Sequence, residues 1–511
     1  MNIQYGITDK EIEAARFCIA CASSLGAEGA RVSLSKNVLD TVALLNGDID
    51  KVTHCADRSI YLYLYIDGKY GTYSTNLLEK EQLEDFVRRA VDATRMLTRD
   101  EFRKLPEASR CERNAVDGVE LGLYDPAYAG ITPRQRTEMA MAGSIFPGDD
   151  VQKNVPGDAT DDARDDTRVT DAAPYRIISE ECEWNDSVDD NYLIDSQGFE
   201  GRHTETSFSF WTEVTICAED GKKYSGYSWK ASTRLKDVSA EGCSQEALEK
   251  AVAQMNPKRV RSGKKTMVVD CNSSSRLVSP LLSALSASAI QQKNSFLEGC
   301  LGKKVFSQDF YLDDLARTPG KAGSRLFDTE GVATADRVVI EGGVVRMFFV
   351  NTYMAGKTGM EPTIEGVSRP VVRPFSVIPD DTSVIPDLIG NLNNKSRLTD
   401  SRSQPGMTER KAQPIMMETL SREEIMLQCG EGILVTGFNG GNCNQTTGDF
   451  SYGIEGFLFR KGRIVHPVKE MVITGNMKDL WGSIIAAGTD AREGTRWQIP
   501  SLAFKDVTFN A

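Results

Sequence analysis

The sequence predicts an α+β protein, in which N-terminal helix and antiparallel-sheet units precede a β-rich C-terminal domain, and three observations carry that prediction. Apolar residues recur at spacings of three and four on either side of the first strands, Asn46-Gly47 and Asp67-Gly68 sit between alternating runs as hairpin turns, and strand-like runs punctuated by glycine fill the chain after residue 263. At about 100 to 200 residues per domain, 511 residues divide into roughly three units. These are an α+β unit over 1–110, a second over 111–262 and the β-rich unit over 263–511.

The first helix opens at a capping box made by Thr8 and Glu11, carries Ile12, Ala15, Ile19 and Ala22 on one face, and ends at Gly26. Two hairpins follow. In the second, Ile60, Leu62, Leu64 and Ile66 alternate with Tyr61, Tyr63 and Tyr65, the period-two pattern of a half-buried strand. LLEKEQLEDFVRRAVDATRML restores helical spacing through Leu83, Phe86, Ala90 and Leu97. In the second unit, TPRQRTEMAMAGSIF reads as a helix, strands flank Asp220-Gly221, and SQEALEKAVAQM reads as a helix capped by Ser244. The third unit is read as strands (TMVVDC, RVVIEGGVVRMFFV, GILVTGF, GFLFRKGRIVHPVKEMVITGN and the terminal PSLAFKDVTFNA) interrupted by one helical segment, SRLVSPLLSALSASA.

Two stretches lack the pattern of packed structure. Residues 148–171 hold eight Asp against Lys153, Arg164 and Arg168, and read as a solvated acidic loop without the ligand spacing of a calcium site. Residues 368–413 hold five of the eighteen prolines and repeat SVIPD at 376–380 and 383–387. They read as an exposed, disordered insertion that resembles translated repetitive DNA and carries no function of its own.

Sixty basic residues against seventy-three acidic ones give a net charge of −13, which argues against nucleic acid or an anionic membrane as the main partner. The acidic N-terminal segment is no signal peptide, and no apolar run is long enough to span a bilayer. With eleven scattered cysteines, the expectation is a cytoplasmic protein without structural disulfides.

Candidate chemistry is sparse. The three histidines, His54, His203 and His466, include no pair one helical turn apart, so no zinc-peptidase helix can form. Cys18 and Cys21 form a CxxC, but Ala14, Cys18, Cys21 and Leu25 align as an apolar helical stripe. Cys443 and His466 lack a cysteine-protease context, and Gly437, Gly440 and Gly441 read as a tight turn rather than a phosphate loop. Asp328 and Glu330, just before Gly331, fit either acid–base chemistry or a hydrogen-bonded turn.

Three segments carry a resemblance to a known family: KNSFLEGCLGKKVFSQDFYLDD at 293–314, GSRLFDTEGVATADRVVIEGGVV at 323–345 and TTGDFSYGIEGFLFRKGRIVHPVKEMVITGNMKDLW at 446–481. With NGDIDKV, DGKYGTYSTN and DSQGFEG, they make the chain resemble the TldD/PmbA family, also called modulators of DNA gyrase, and in particular its PmbA (TldE) branch. In that family the TldD subunit binds zinc through an HExxxH helix and a cysteine near the C-terminus. Here the corresponding helix reads LLSALSASA over Leu281 to Ala289, and the tail from Gly494 has no cysteine. The resemblance therefore implies a non-catalytic subunit, with no catalytic residue, metal or cofactor of its own. A TldD-type partner would carry the zinc of a cytoplasmic heterodimeric or larger peptidase acting on unfolded or extended peptides. The family-matching turns Asp328, Glu330, Gly331 and Gly448, Asp449 are the substrate-contact candidates it points to. Two alternatives stand beside it: a metallopeptidase with unconventional ligands such as Cys443, Asp449 and His466, and a protein modulating DNA gyrase or a toxin–antitoxin pair.

Overall fold

The computed structural model describes residues 5–146, 174–378 and 420–511; the acidic stretch 148–171, and the expected insertion beyond residue 378, lie outside the described residues. The N-terminal half contains α1 (Asp9–Ser24), β1 (Gly29–Leu45), β2 (Asp48–Ile66), β3 (Lys69–Thr75), α2 (Lys80–Arg95), α3 (Pro133–Met141), β4 (Tyr175–Asp195), β5 (Glu200–Ala218), β6 (Lys223–Ser232) and α4 (Cys243–Ala253). Its six strands form one antiparallel sheet in the order β3-β2-β1-β4-β5-β6, so the spans 1–110 and 111–262 contribute three strands each.

Local signals place these elements. Thr8 and Glu11 make both bonds of the capping box, and Gly26 follows the helix at φ 89°. Asn46-Gly47 and Asp67-Gly68 both have positive φ, the backbone of a two-residue hairpin turn. Ile60, Leu62 and Leu64 are fully buried with Val32, Leu34 and Tyr192 under α1 and α2. Cys18 lies within that core, where burial pushes its thiol up to about 12, which suits packing and not redox exchange. Farther along the same face Val38, Val42, Trp184, Val188, Phe208 and Phe210 pack under α3.

Two aspartates on this face are buried with arginines. Arg136 of α3 reaches Asp186 on β4 through Nε (2.8 Å) and Nη2 (2.7 Å), and Trp184 Nε1 donates to the same carboxylate at 2.9 Å. Arg202 holds Asp190 through Nε (3.0 Å) and Nη2 (2.5 Å). Helix α4 lies so close to β6 that a Cβ on Gly226 would stand 2.1 Å from the Ala247 carbonyl oxygen. Gly226→Ala is expected to cost about 3 kcal/mol by lifting α4 from the sheet, read as a lower denaturation midpoint in urea.

The C-terminal half contains β7 (Gly263–Val269), α5 (Cys271–Ala284), α6 (Ala287–Gln291), β8 (Leu312–Asp314), β9 (Arg337–Glu341), β10 (Val344–Val345), α7 (Thr352–Thr358), β11 (Pro370–Val372), β12 (Phe375–Ser376) and α8 (Arg422–Cys429). It continues with β13 (Glu431–Cys443), β14 (Asp449–Arg460), β15 (Arg463–Pro467), β16 (Met471–Asn476), α9 (Met477–Gly482), β17 (Ile484–Ala487) and β18 (Leu502–Asn510). Strands β10-β9-β8-β11 make a four-stranded sheet. In the larger sheet β7 pairs with both β13 and β18, closing the ring β7-β13-β14-β16-β18 around a core that includes Met267, Phe504 and Phe509.

Several expectations need correction. Gly242, at φ 75°, caps α4 in place of Ser244, whose hydroxyl is buried 2.8 Å from Thr212 Oγ1. Gly437, Gly440 and Gly441 form no turn; they lie inside β13, where its register against β14 shifts between Val435 and Gly437 and between Phe438 and Gly441. Residues 368–376 open no exposed insertion: Ser368 and Arg369 are buried, and β11 and β12 pair with β8 and β17. Helix α2 stops at Arg95, which leaves Leu97 exposed, and RVVIEGGVVRMFFV yields only the short strands β9 and β10. The third unit holds α6, α7, α8 and α9 besides α5, not one helix.

Candidate functional site

Period-two alternation that buries one face of the N-terminal sheet turns polar side chains onto the other. Cross-strand register sets them in rows: Tyr61, Ser33 and Leu193; then Ser59, Ser35, Asn191 and His203; then Asp57, Asn37, Asp189 and Glu205. Of this wall, the polar side chains Tyr61, Ser33, Ser35, Asn191, His203, Asp189 and Glu205 meet Gly323, Ser324, Arg325, Asp328, Ser368 and Arg496 of the C-terminal half across a cavity of about 590 Å³.

The wall is wired for polarity. Asn37 Nδ2 donates to Asp189 Oδ1 at 2.5 Å, and burial, reinforced by Glu205, raises the Asp189 carboxyl above its ordinary value. Opposite, Arg325 Nε donates to Ser368 Oγ at 3.0 Å and its Nη2 to the Val367 carbonyl at 3.2 Å. Acidic groups on the wall thus face guanidinium groups across a gap, an arrangement suited to a polar chain bearing both donors and acceptors.

The Asp328 turn docks the two halves. Asp328 Oδ1 accepts the N–H groups of Glu330 and Val332, each at 2.9 Å, and Oδ2 accepts that of Glu365 at 3.2 Å. Burial, followed by the neighbouring Glu330 charge, nevertheless raises the Asp328 carboxyl to about 6. Glu330 Oε2 accepts the N–H and hydroxyl of Thr352, at 2.9 and 2.8 Å, at the start of α7. Gly331 has φ 87°, and a Cβ there would stand 2.8 Å from the Phe199 ring, so only glycine lets the turn seat on Phe199 and Phe327.

Among the five family-matching residues, only Asp328 lines this cavity. Gly448 and Asp449 sit at the start of β14, where Asn476 Nδ2 and Thr447 Oγ1 donate to the Asp449 carboxylate at 2.9 and 2.7 Å and lower its pKa. The wall residues Tyr61, Ser33, Asn191 and His203 escaped sequence reasoning as a site, although the alternation that sent them away from the core was visible.

Among the described residues, the segment where the resemblance places the zinc ligands does not fit that metal. Leu281, Ala284, Leu285 and Ala287, in the stretch where the resemblance places imidazoles, are fully buried apolar side chains. Cys443, Asp449 and His466 are not brought together: His466 pairs with Leu458, nine positions along β14 from Asp449, roughly 30 Å at about 3.3 Å per residue. Among the described residues no three His, Cys, Asp or Glu side chains converge on a metal-sized site.

Similarity to known proteins runs along the chain. Residues 30–94, 157–255 and 262–511 match, in order, the PmbA/TldA metallopeptidase domain 1, central domain and C-terminal domain. The Metalloprotease PmbA of Escherichia coli O157:H7 is 22% identical over 481 residues, 94% of this chain and 92% of that one. A crystal structure from Bacteroides thetaiotaomicron, described as a candidate modulator of DNA gyrase, superposes at a TM-score of 0.82 with 35% identity, over 99% of this chain and 100% of that one. TldE from Thermococcus kodakarensis shares the fold at a TM-score of 0.69 and 16% identity, over 98% of this chain and 100% of that one. With three consecutive domains matched and a relative of this identity aligned over its whole length, the chain belongs to the TldD/PmbA family.

Proposed function

We propose that this chain is the metal-free subunit of a cytoplasmic two-subunit peptidase, which holds unfolded or extended peptides while a TldD-type partner supplies the zinc. The observation that carries this reading is the polar wall facing the 590 Å³ cavity. Serine, asparagine and tyrosine side chains there offer donors and acceptors to any peptide main chain, which gives affinity without reading side chains. Sheet edges at β3 and β6 add the option of strand addition. The stretch Leu281 to Ala289, which holds neither His nor Glu, supports placing the zinc site in the partner and not here. Within this proposal the chain encloses and positions substrate, and no proton transfer is assigned to its residues. Among the described residues no helix is long and apolar enough to cross a membrane. Action on DNA gyrase itself has no counterpart in the cavity, and the net charge of −13 opposes direct contact with DNA.

Metal analysis and peptide cleavage on the same samples test the proposal. The chain alone is expected to carry no stoichiometric zinc and to cut nothing, whereas the complex co-purified with a TldD-type protein carries zinc and cleaves unfolded peptide. Chelator-sensitive cleavage by the chain alone would overturn it. In the active complex, the double variant Tyr61→Ala/Asn191→Ala is expected to raise KM about tenfold with kcat little changed, the pattern of lost uniform binding.

A further inference from the structure

A second cavity, of about 350 Å³, lies on the C-terminal side of the Asp328 turn and is lined by Arg110, Arg337, Val332, Met347, Pro362 and Thr363. It holds two guanidinium groups, and no carboxylate lines it. Arg110 spends one nitrogen on the Thr363 carbonyl at 2.7 Å. Arg337 has Nη1 buried without a hydrogen-bond partner. Burial pushes the Arg337 guanidinium below its ordinary value, and Arg110 adds to this against the pull of Asp314 and Asp328. Both acids also serve backbone donors. Asp314 Oδ1 accepts the N–H groups of Ser368 and Arg369 at 3.0 and 2.8 Å, and Asp328 is filled by its own turn.

Two like charges lining one cavity repel. An oxyanion in the cavity relieves that repulsion, since a carboxylate can accept N–H groups from two guanidiniums at once. Val332, Met347 and Pro362 make much of the remaining lining apolar, which disfavours a fully hydrated inorganic ion. We propose that this cavity binds a carboxylate bearing an apolar group, with Arg110 and Arg337 gripping the carboxylate while Val332, Met347 and Pro362 contact the apolar part. Such a group arrives either as a small free acid or as the C-terminal residue of a peptide. The site is independent of whether the chain serves a zinc-bearing partner.

Calorimetric titration of the purified full chain tests this with 4-methylpentanoate, an N-acetylated tetrapeptide ending in leucine, the same peptide as its C-terminal amide, and inorganic phosphate. The carboxylates are expected to bind, with the amide and phosphate at least about tenfold weaker. Tighter binding of the peptide than of 4-methylpentanoate identifies the peptide terminus as the source, and the reverse order identifies a free acid. Arg337→Gln is expected to weaken the carboxylates at least about tenfold yet raise the melting temperature of the ligand-free protein, because it removes a buried unpaired charge. Arg337→Lys keeps the charge and is expected to retain part of the binding. Equal binding of acid and amide, binding by no carboxylate, phosphate binding as tight as the carboxylates, unchanged affinity in Arg337→Gln, or a lower melting temperature in that variant would each overturn the proposal.

Discussion

Arg136→Ala is expected to destabilise the protein by about 3–5 kcal/mol, the cost of leaving a buried carboxylate without its counter-charge. The Asp186 side chain is 0% exposed, and Arg136 is both its ion-pair partner and the link from α3 to the sheet. The same guanidinium lies 3.0 Å from Asp40 on β1 and donates to the Ile131 carbonyl at 3.0 Å, so its removal also releases α3. Urea denaturation checks the value. The double variant Arg136→Met/Asp186→Leu, which removes both charges, should recover much of the loss, because well-packed apolar residues can replace a buried pair at little cost. If the double variant is as unstable as Arg136→Ala, the cost lies in packing or in Asp40, which loses the same guanidinium, and not in the orphaned Asp186 charge.

The second large effect is a pH dependence carried by Asp328. Its carboxyl titrates at about 6 in the folded protein against an ordinary value of 3.8. For an acid the sign then runs opposite to a salt-bridged aspartate: the folded state holds the proton more tightly. The contribution favours folding below about pH 4 and is lost as pH rises through about 6, a difference of roughly 3 kcal/mol at 1.36 kcal/mol per unit. Asp328→Asn keeps an oxygen for the N–H groups of Glu330 and Val332 but cannot ionise. Subtracting its stability from that of the unmodified protein between pH 4 and 7 should therefore isolate the slope. A flat difference would mean that the three backbone donors offset the burial of the charge.

Local features were the legible ones. Thr8 with Glu11, Asn46-Gly47, Asp67-Gly68 and the alternation from Ile60 to Ile66 each depend on neighbours in sequence, and each stands as read. Where one residue type serves two geometries, the sequence misled. Glycines that fit a turn at 437–441 instead relieve bulges in β13, and Ser244, a good cap in isolation, spends its hydroxyl on Thr212 because β5 lies against it. Ser368–Ser376 looked like the start of a proline-rich loop, yet Pro370 sits in a three-residue strand whose partner, β8, is more than fifty positions away. The polar wall needed the same kind of distant knowledge: alternation marks Tyr61 and Asn191 as facing away from the core, but only tertiary structure sets the C-terminal half opposite them. Arg110 and Arg337 meet for that reason as well, since the Ala333 N–H bonds to the Arg110 carbonyl at 2.9 Å.

The pairing of β1 with β4 also sets a timetable for synthesis. β1 ends at Leu45, whereas its neighbour does not begin until Tyr175, so the growing polypeptide carries an unfinished sheet while about 130 further residues are added. At about 5–20 residues per second, that edge stays open for roughly 7 to 26 s. During this interval Val38, Val42 and Leu44 lack Trp184 and Val188, and the free N–H and C=O groups of β1 are a template for any other emerging strand. Yield in the cell is therefore expected to depend on how well that edge is shielded on the ribosome: a burst of synthesis should favour intermolecular strand capture, and slower initiation or a nascent-chain chaperone the native sheet.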